Sequence, residues 1–425
     1  MDPSNSEAVQ PVGKDLPIVV IGAGPVGLRL VQELRRQDPA CRIELFGNER
    51  WVPYNRVKLS SFLAGEIPHD EVEGETELPD DPDIHVHGNE AVTAIERGTK
   101  SIVTRFGSVY RYRHLVIATG SQPLIPMIPG VGLQGVFTFW DMTDTQRLYA
   151  RKSRSRHTLI IGGGLLGLEC AKAMRRFNTR VTVIEQQQHL MFRQLDPLGA
   201  GLLQKHVEAI GITIMTNDSV REILGTYNVQ GVELNSGRAL KCDTVVLATG
   251  ITPNIELARE AGLETRRGIL VDDQLRASDP DIFAVGECAE HQGEIYGLVA
   301  PGYEQAKVAA SVIAGKPTTY KGSLYVTSLK VVGYQVTSFG ITQKSRITEV
   351  YSFMSEDEGI YRKLILEKGR LIGVVALGDW GEIPWLREGV QQRHRITLWQ
   401  RWRFRRTGYL RRDEQRESIY KPSMG

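Results

Sequence analysis

Residues 17–31 read Pro-Ile-Val-Val-Ile-Gly-Ala-Gly-Pro-Val-Gly-Leu-Arg-Leu-Val, and this stretch decides the fold. The β-branched apolar run predicts a buried strand, and the apolar spacing beyond the glycines predicts a helix. Gly22 permits the tight turn, Gly24 lets backbone approach a pyrophosphate, and Gly27 lets the helix pack closely on the strand. The helix N-terminus then faces the phosphate charge. A second strand, Arg42 to Phe46, completes the strand–turn–helix–strand context that such a motif requires. It runs into Gly47-Asn48-Glu49, and Glu49 is the acid placed to meet a ribose hydroxyl.

The pattern returns 140 residues later as His157-Thr-Leu-Ile-Ile-Gly-Gly-Gly-Leu-Leu-Gly-Leu-Glu-Cys-Ala, with Gly162, Gly164 and Gly167 in the same three roles. Its second strand, Arg180 to Ile184, ends in Glu185. A carboxylate there accepts both ribose hydroxyls of NAD and repels the 2′-phosphate of NADP. Gln186 and Gln187 follow, with no Arg immediately beside Glu185, so NADH is favoured over NADPH. A tight turn without a ligand is the bland reading of either motif alone, and two in one chain weigh against it. Two dinucleotide sites most simply hold a resident flavin and a visiting nicotinamide.

Composition fits an ordinary globular chain with room for two to four domains: 425 residues, 41% hydrophobic, 24% charged, mean hydropathy −0.23. No apolar run approaches the roughly 18–20 residues of a spanning helix. Met1–Leu16 is polar without an apolar h-region, which predicts a disordered lead-in and a cytoplasmic protein. Cys41, Cys170, Cys242 and Cys288 lie far apart, forming neither C-x-x-C nor any zinc, haem or iron–sulfur spacing. From Arg387 onward there are 11 Lys/Arg against 4 Asp/Glu, leaving 41 against 46 in the rest of the chain. A basic C-terminal end on an acidic body points to a partner surface.

Three more segments complete a pattern: Leu115-Val-Ile-Ala-Thr-Gly120, Val245-Val-Leu-Ala-Thr-Gly250 and Asp281-Ile-Phe-Ala-Val-Gly-Glu287. Their order resembles the two-dinucleotide-binding-domain flavoproteins, the pyridine nucleotide–disulfide oxidoreductases in the broad sense, across about residues 17–340. Val52-Pro-Tyr-Asn-Arg-Val-Lys-Leu-Ser-Ser, Met191-Phe-Arg-Gln-Leu-Asp196, Gly286-Glu-Cys-Ala-Glu-His291 and Tyr296-Gly-Leu-Val-Ala-Pro301 look most like the FAD/NADH module of the NADH nitrite reductase large subunit. Rubredoxin and ferredoxin reductases are close cousins. The resemblance implies an α/β fold with two Rossmann-like domains, FAD-binding over 17–125 and 263–322 and NAD-binding inserted at 126–262. A C-terminal α+β interface domain over 323–384 and a basic, aromatic helical tail over 385–425 would follow. It implies a flavin held by Gly22, Gly24, Gly27, Arg56, Thr119, Gly120 and Glu287, with Gly250 at the nicotinamide side. Glu169 would face the nicotinamide, or serve as a salt-bridged helix residue. Gln305 would contact the cofactor edge, or simply belong to the first turn of a helix over 302–315 preceded by Pro301.

Departures from the relatives carry weight as well. The chain has neither the iron–sulfur segment nor the sirohaem domain of the large subunits, so nitrite reduction by this chain itself is not expected. The flavin-facing stretch Lys58–Leu63 carries no cysteine, which closes the disulfide reductase, peroxidase and coenzyme A disulfide reductase branches. The four thiols are read as packing residues. Electrons from NADH would therefore pass through FAD to an external acceptor: a rubredoxin, a ferredoxin-like protein or a nitrite-reductase-type partner. The rivals are an NADH oxidase or quinone reductase, and a flavin-containing redox sensor or scaffold that binds through its tail. In the tail, Trp399, Trp402 and Phe404 interleave with arginines. This stretch reads as an arm for an acidic electron-transfer protein, a membrane-surface helix, a weaker nucleic-acid site, or a packed helix with its tryptophans in the core. A mere arm would be removable after Glu382 without loss of NADH-to-dye activity. A homodimer follows from the family's tendency.

Overall fold

The computed structural model describes residues 16–411, except 52, 74–77, 79, 176–178, 332 and 344–346. The expected lead-in before Leu16 and the tail beyond Arg411 lie outside the described residues. The chain forms two compact units: Met1–Leu124 with Trp140–Met142 and Ile251–Ser323, and Ile125–Phe139 with Thr143–Gly250 and Leu324–Gly425.

The first unit is built on a five-stranded parallel sheet, ordered Ile282–Ala284, His114–Ile117, Ile18–Ile21, Ile43–Phe46, Ile84–His87. Its central strand is buried at all four positions, as a parallel strand covered on both faces must be. One face is closed by the helices Pro25–Gln37 and Val299–Ile313. Leu28, Val31 and Leu34 of the first belong to one core with Ala306, Ala309 and Ala310 of the second. The alanines let the backbones approach. The second helix begins at Val299, earlier than its sequence pattern suggests, because Pro301 sits inside the first turn. A missing N–H costs nothing there.

Counted from the Ile84–His87 edge of the first sheet, the second unit sets four strands in the same order, Ile212–Thr216, Arg180–Glu185, His157–Ile161 and Thr244–Leu247, and its fifth, Val136–Thr138, precedes them in the chain where Ile282–Ala284 follows; all are parallel. In both units a three-stranded antiparallel meander separates the third parallel strand from the strand ending in Ala-Thr-Gly. The expected C-terminal strands form a five-stranded antiparallel sheet, ordered Val326–Val331, Tyr334–Gly340, Arg370–Leu377, Ile360–Glu367, Thr348–Ser355.

This sheet is joined to the nucleotide-type half by polar contacts as well as apolar ones. Asp196 caps the Pro197–Ala209 helix by accepting from the Gly199 N–H at 3.0 Å. The same carboxylate accepts from Tyr361 Oη at 2.6 Å and pairs with Lys363 Nζ at 2.8 Å. These three donors together hold its pKa below the usual aspartate range, against the burial that would raise it.

The tail is part of the core up to Leu410. Leu386 of the Ile383–Gln391 helix, Ile396, Phe404 of the Leu398–Thr407 helix and Leu410 are buried with Phe339, Leu364, Val374 and Trp380. Glu382 accepts from the Leu410 and Arg411 N–H groups at 3.0 and 2.7 Å. Arg362, 1% exposed, lies between the Trp380 and Tyr409 rings and donates to Gly408 O, Asp379 O and Tyr409 Oη. A removable arm is therefore excluded by burial. The packed-helix reading is corrected in one respect: Phe404 fills the core, while Trp399 and Trp402 stay exposed.

Candidate functional site

At the first glycine turn, a Cβ on Gly22 would lie 2.1 Å from the Ala118 carbonyl oxygen, and Gly22 holds φ +119°. A Cβ on Gly27 would meet Gly22 O at 1.8 Å, so this contact between helix and turn admits only glycine. Gly24 has nothing within 4 Å of its Cβ position, and its open side adjoins the N-terminus of the Pro25–Gln37 helix. The turn thus presents an open cradle at a positive helix end, which fits a diphosphate.

Glu49, beyond the Ile43–Phe46 strand, accepts from Tyr54 Oη at 2.6 Å and is ion-paired with Arg56. Tyr54 Oη in turn accepts from the Met142 N–H at 3.0 Å, and Arg56 lies 5.7 Å from the Trp140 ring centroid. Glu49 and Arg56 are therefore brought together, each orienting the other. Thr119 Oγ1 donates to Asn254 O, while Asn254 Nδ2 donates to Thr119 O, both at 2.9 Å. This reciprocal clamp fixes the turn through Gly120, itself at φ +65°.

Glu287 follows Gly286, whose N–H donates to Gln305 Oε1 at 2.7 Å. Gln305 is 1% exposed and so acts on Glu287 by holding its turn. Ser121 Oγ donates to Glu287 Oε2. Burial pushes the Glu287 carboxyl above the ordinary range, opposed by the Ser121 hydroxyl and the Arg56 charge. A carboxylate kept in a half-dry site with one oxygen already tied is a strong acceptor for ligand hydroxyls. It also carries a stability cost. The raised pKa means that Glu287 favours folding in its protonated form, and this contribution is lost as pH rises through the folded-state value. Glu287→Gln is accordingly expected to raise the melting temperature of flavin-free protein at neutral pH while weakening flavin retention. Apoprotein that melts lower than wild type would contradict this.

The second turn repeats the geometry. Gly162 holds φ +115° with its Cβ position 2.2 Å from Ala248 O, Gly167 would meet Gly162 O at 2.1 Å, and Gly164 is open. Glu185 Oε2 accepts from the Gly163 N–H at 2.7 Å and Oε1 from the Gln187 N–H at 2.8 Å. Two backbone donors thereby aim the carboxylate beside the turn. Gly250 is open at φ +120° beyond its own Ala-Thr-Gly strand, and Glu169 lies half-buried on the Leu165–Arg175 helix.

Sequence reading missed Gly163, Ser121, Asn254 and Tyr54. A Cβ on Gly163 would come within 2.6 Å of Leu190 Cδ2 and 3.0 Å of Glu185 Cβ, so a side chain at the middle glycine of Gly162-Gly163-Gly164 would displace Leu190 and crowd Glu185. The signal for Ser121 and Asn254 was present. Ser121-Gln122-Pro123 and Ile251-Thr252-Pro253 follow the two Ala-Thr-Gly segments and pair antiparallel, which places Asn254 on Thr119.

All four cysteines are free and buried. Burial raises each thiol, Cys242 to about 12. Cys288 donates through Sγ to the carbonyls of Val285 and Ile117 at 3.3 and 3.4 Å. None is poised as a thiolate.

Two parallel-sheet units that share the order of four strands, each with a glycine cradle and an oriented acid, define an oxidoreductase of the two-nucleotide kind. Residues 16–311 match the pyridine nucleotide-disulphide oxidoreductase family, and 326–394 match the rubredoxin NAD+ reductase C-terminal domain. The chain belongs to the pyridine nucleotide-disulphide oxidoreductase family, with FAD and NADH as its cofactors. It is 38% identical over 368 residues to the nitrite reductase [NAD(P)H] of Bacillus subtilis (strain 168), covering 86% of this chain and 46% of that protein. It is 30% identical to the nitric oxide reductase FlRd-NAD(+) reductase of Vibrio vulnificus (strain CMCP6), covering 88% of this chain and 97% of that one. The ferredoxin reductase for the CYP199A2 system from Rhodopseudomonas palustris is similar in structure, with a TM-score of 0.82 at 26% identity, over 90% of this chain and 96% of that one. The chain spans about half the length of the first nitrite reductases it matches. Among the described residues no helix is long and apolar enough to cross a membrane.

Proposed function

We propose that this chain is an NADH-dependent reductase that takes electrons from NADH onto FAD and passes them to a separate redox protein of rubredoxin, ferredoxin-like or nitrite-reductase type. The observation that carries the reading is the pairing of two open glycine cradles with four buried, neutral thiols. No cysteine is placed to take the electrons, so they leave to an outside acceptor. Residues 17–125 and 263–322 are assigned to FAD and 126–262 to NAD, with 323–384 as the interface domain. The acceptor is proposed to be acidic, the protein a cytoplasmic homodimer. Free thiols, rather than disulfides, accord with a reducing compartment.

Bound FAD supplies the two-electron acceptor for the hydride of NADH. This chain's residues bind and orient. Gly22, Gly24, Gly27 and the helix end at Pro25 receive the diphosphate, Glu49 takes a ribose hydroxyl, and Arg56, with Thr119 and Gly120, holds the flavin. Glu287, held by Ser121 and by the Gln305–Gly286 contact, receives ribityl hydroxyls. Gly162, Gly164 and Gly167 receive NADH, Glu185 takes its ribose, and Gly250 and Glu169 complete that side.

Anaerobic titration of purified protein with NADH and then NADPH, read in the visible flavin spectrum, tests this. Stoichiometric bleaching by NADH but not by NADPH is expected. Absence of flavin, or a bound flavin that NADH does not reduce, would defeat it. Glu185→Ala should raise KM for NADH about 10- to 100-fold, the loss of charge-assisted ribose bonds, while leaving KM for NADPH unchanged or lower. Unaltered kinetics with both nucleotides would remove Glu185 from the site.

A further inference from the structure

The Leu398–Thr407 helix is fastened on one side and exposed on the other. Thr397 and Gln400 form a capping box, Arg401 Nη1 pairs with Glu349 at 2.9 Å, Phe404 is fully buried, and Gly408 closes the helix at φ +72°. Leu398, Trp399 and Trp402, at 78%, 49% and 56% exposure, share the outer face with Arg405 and Arg406. Their spacing of three, four and seven residues makes one continuous stripe. Apolar area of this kind on a rigid support marks an interaction surface.

The chemistry of the occupant follows from how the arginines are held. Arg406 lies 4.9 Å from the Trp402 ring centroid, Arg403 5.7 Å from Trp399, and Arg405 4.8 Å from Tyr351. Among the described residues no carboxylate pairs with any of these three. Arg403 also donates from Nε to Arg411 O at 3.3 Å, whereas a guanidinium laid on an aromatic ring, as in Arg405 and Arg406, is pre-ordered and keeps its donor edge free for a carboxylate. The stack also covers one face of each indole with charge, which disfavours sinking the rings into lipid. A second copy meeting this stripe about a two-fold axis would set arginines against arginines. Trp and Arg together at a rigid patch are the usual anchors of protein–protein recognition.

We propose that this helix face docks a soluble acidic protein, its carboxylates gripped by the ring-stacked arginines and its apolar surface resting on Leu398 and the two tryptophans. This rests on the reading that electrons leave to a protein acceptor and assigns that acceptor a landing surface. The test uses the full chain with fluorescein-labelled poly-L-glutamate followed by anisotropy, and the Trp402→Ala/Arg406→Ala double variant. Wild type is expected to bind in a salt-sensitive manner, and the variant about tenfold or more weakly, with NADH still reducing its flavin as in wild type. Equal binding by both proteins overturns the docking surface and leaves the reductase reading intact. Failure of NADH to reduce the wild-type flavin overturns the reductase reading itself. Tighter binding to vesicles of phosphatidylcholine and phosphatidylglycerol than to poly-glutamate, lost in the same variant, overturns the proposal in favour of a membrane surface. A dimer that the variant abolishes overturns it in favour of a second copy.

Discussion

Gly24→Ala is expected to fold and to lose FAD, whereas Gly22→Ala is expected to fail before any cofactor question arises. The two glycines stand two residues apart in one turn and differ in what a methyl group would meet. At Gly24 the added carbon enters space empty of protein within 4 Å, at a backbone of φ −77° and ψ −180° that any residue adopts. Folding is therefore unaffected, and the methyl fills only the cradle where a diphosphate must approach backbone. At Gly22 the carbon would sit 2.1 Å from Ala118 O with φ at +119°. Relief requires moving the central strand against its neighbour, at a cost of about 3 kcal/mol or more. The flavin-to-protein absorbance ratio after purification, with a melting curve of each apoprotein, separates the cases. Gly24→Ala that retains stoichiometric flavin would defeat the assignment of the cradle.

Deletion of everything after Glu382 should unfold the C-terminal sheet. The deleted segment contributes Leu386, Val390, Ile396, Phe404 and Leu410, all at most 7% exposed. At about 1.5–3 kcal/mol for each buried side chain the loss is on the order of 7–15 kcal/mol. That equals the whole stability of a typical domain, about 5–15 kcal/mol. Glu382 would also lose the two N–H groups it accepts, and Arg362 the carbonyl and hydroxyl of Gly408 and Tyr409. Limited proteolysis should cut the truncated chain within residues 326–377 and spare the full one. Equal resistance of the two chains would overturn this view of the tail.

What could be read from the linear chain follows physical range. The two nucleotide turns were legible because strand, glycines and helix are consecutive, so Gly22 and Gly162 declare their backbone demands within ten residues. Glu185 was legible for the same reason, lying at the end of the next strand. The partners Ser121 and Asn254 were marked only by their place just after the two Ala-Thr-Gly segments, and their roles come from contacts more than a hundred residues away. Gly163 escaped because the three-glycine motif has no role for the glycine between, although the packing of Glu185 and Leu190 creates one. In the tail the alternation of aromatic and basic residues was evident, yet nothing local distinguishes Phe404, which is buried, from Trp402, which is not. That choice is made by the sheet beneath them.

The Asp196 junction bears on how such a chain could be recombined. Its carboxylate serves three masters: a helix start in the nucleotide-type half, a phenol and an ammonium on the antiparallel sheet. Gly199 extends the same seam, since a Cβ there would touch the Tyr361 ring at 2.9 Å. A graft that exchanges only the antiparallel sheet for a relative's would strand a charge on one side or the other. The heritable module, and the sensible cut for a chimera, is therefore the second unit as a whole, with the Pro197–Ala209 helix travelling alongside the sheet it is bolted to.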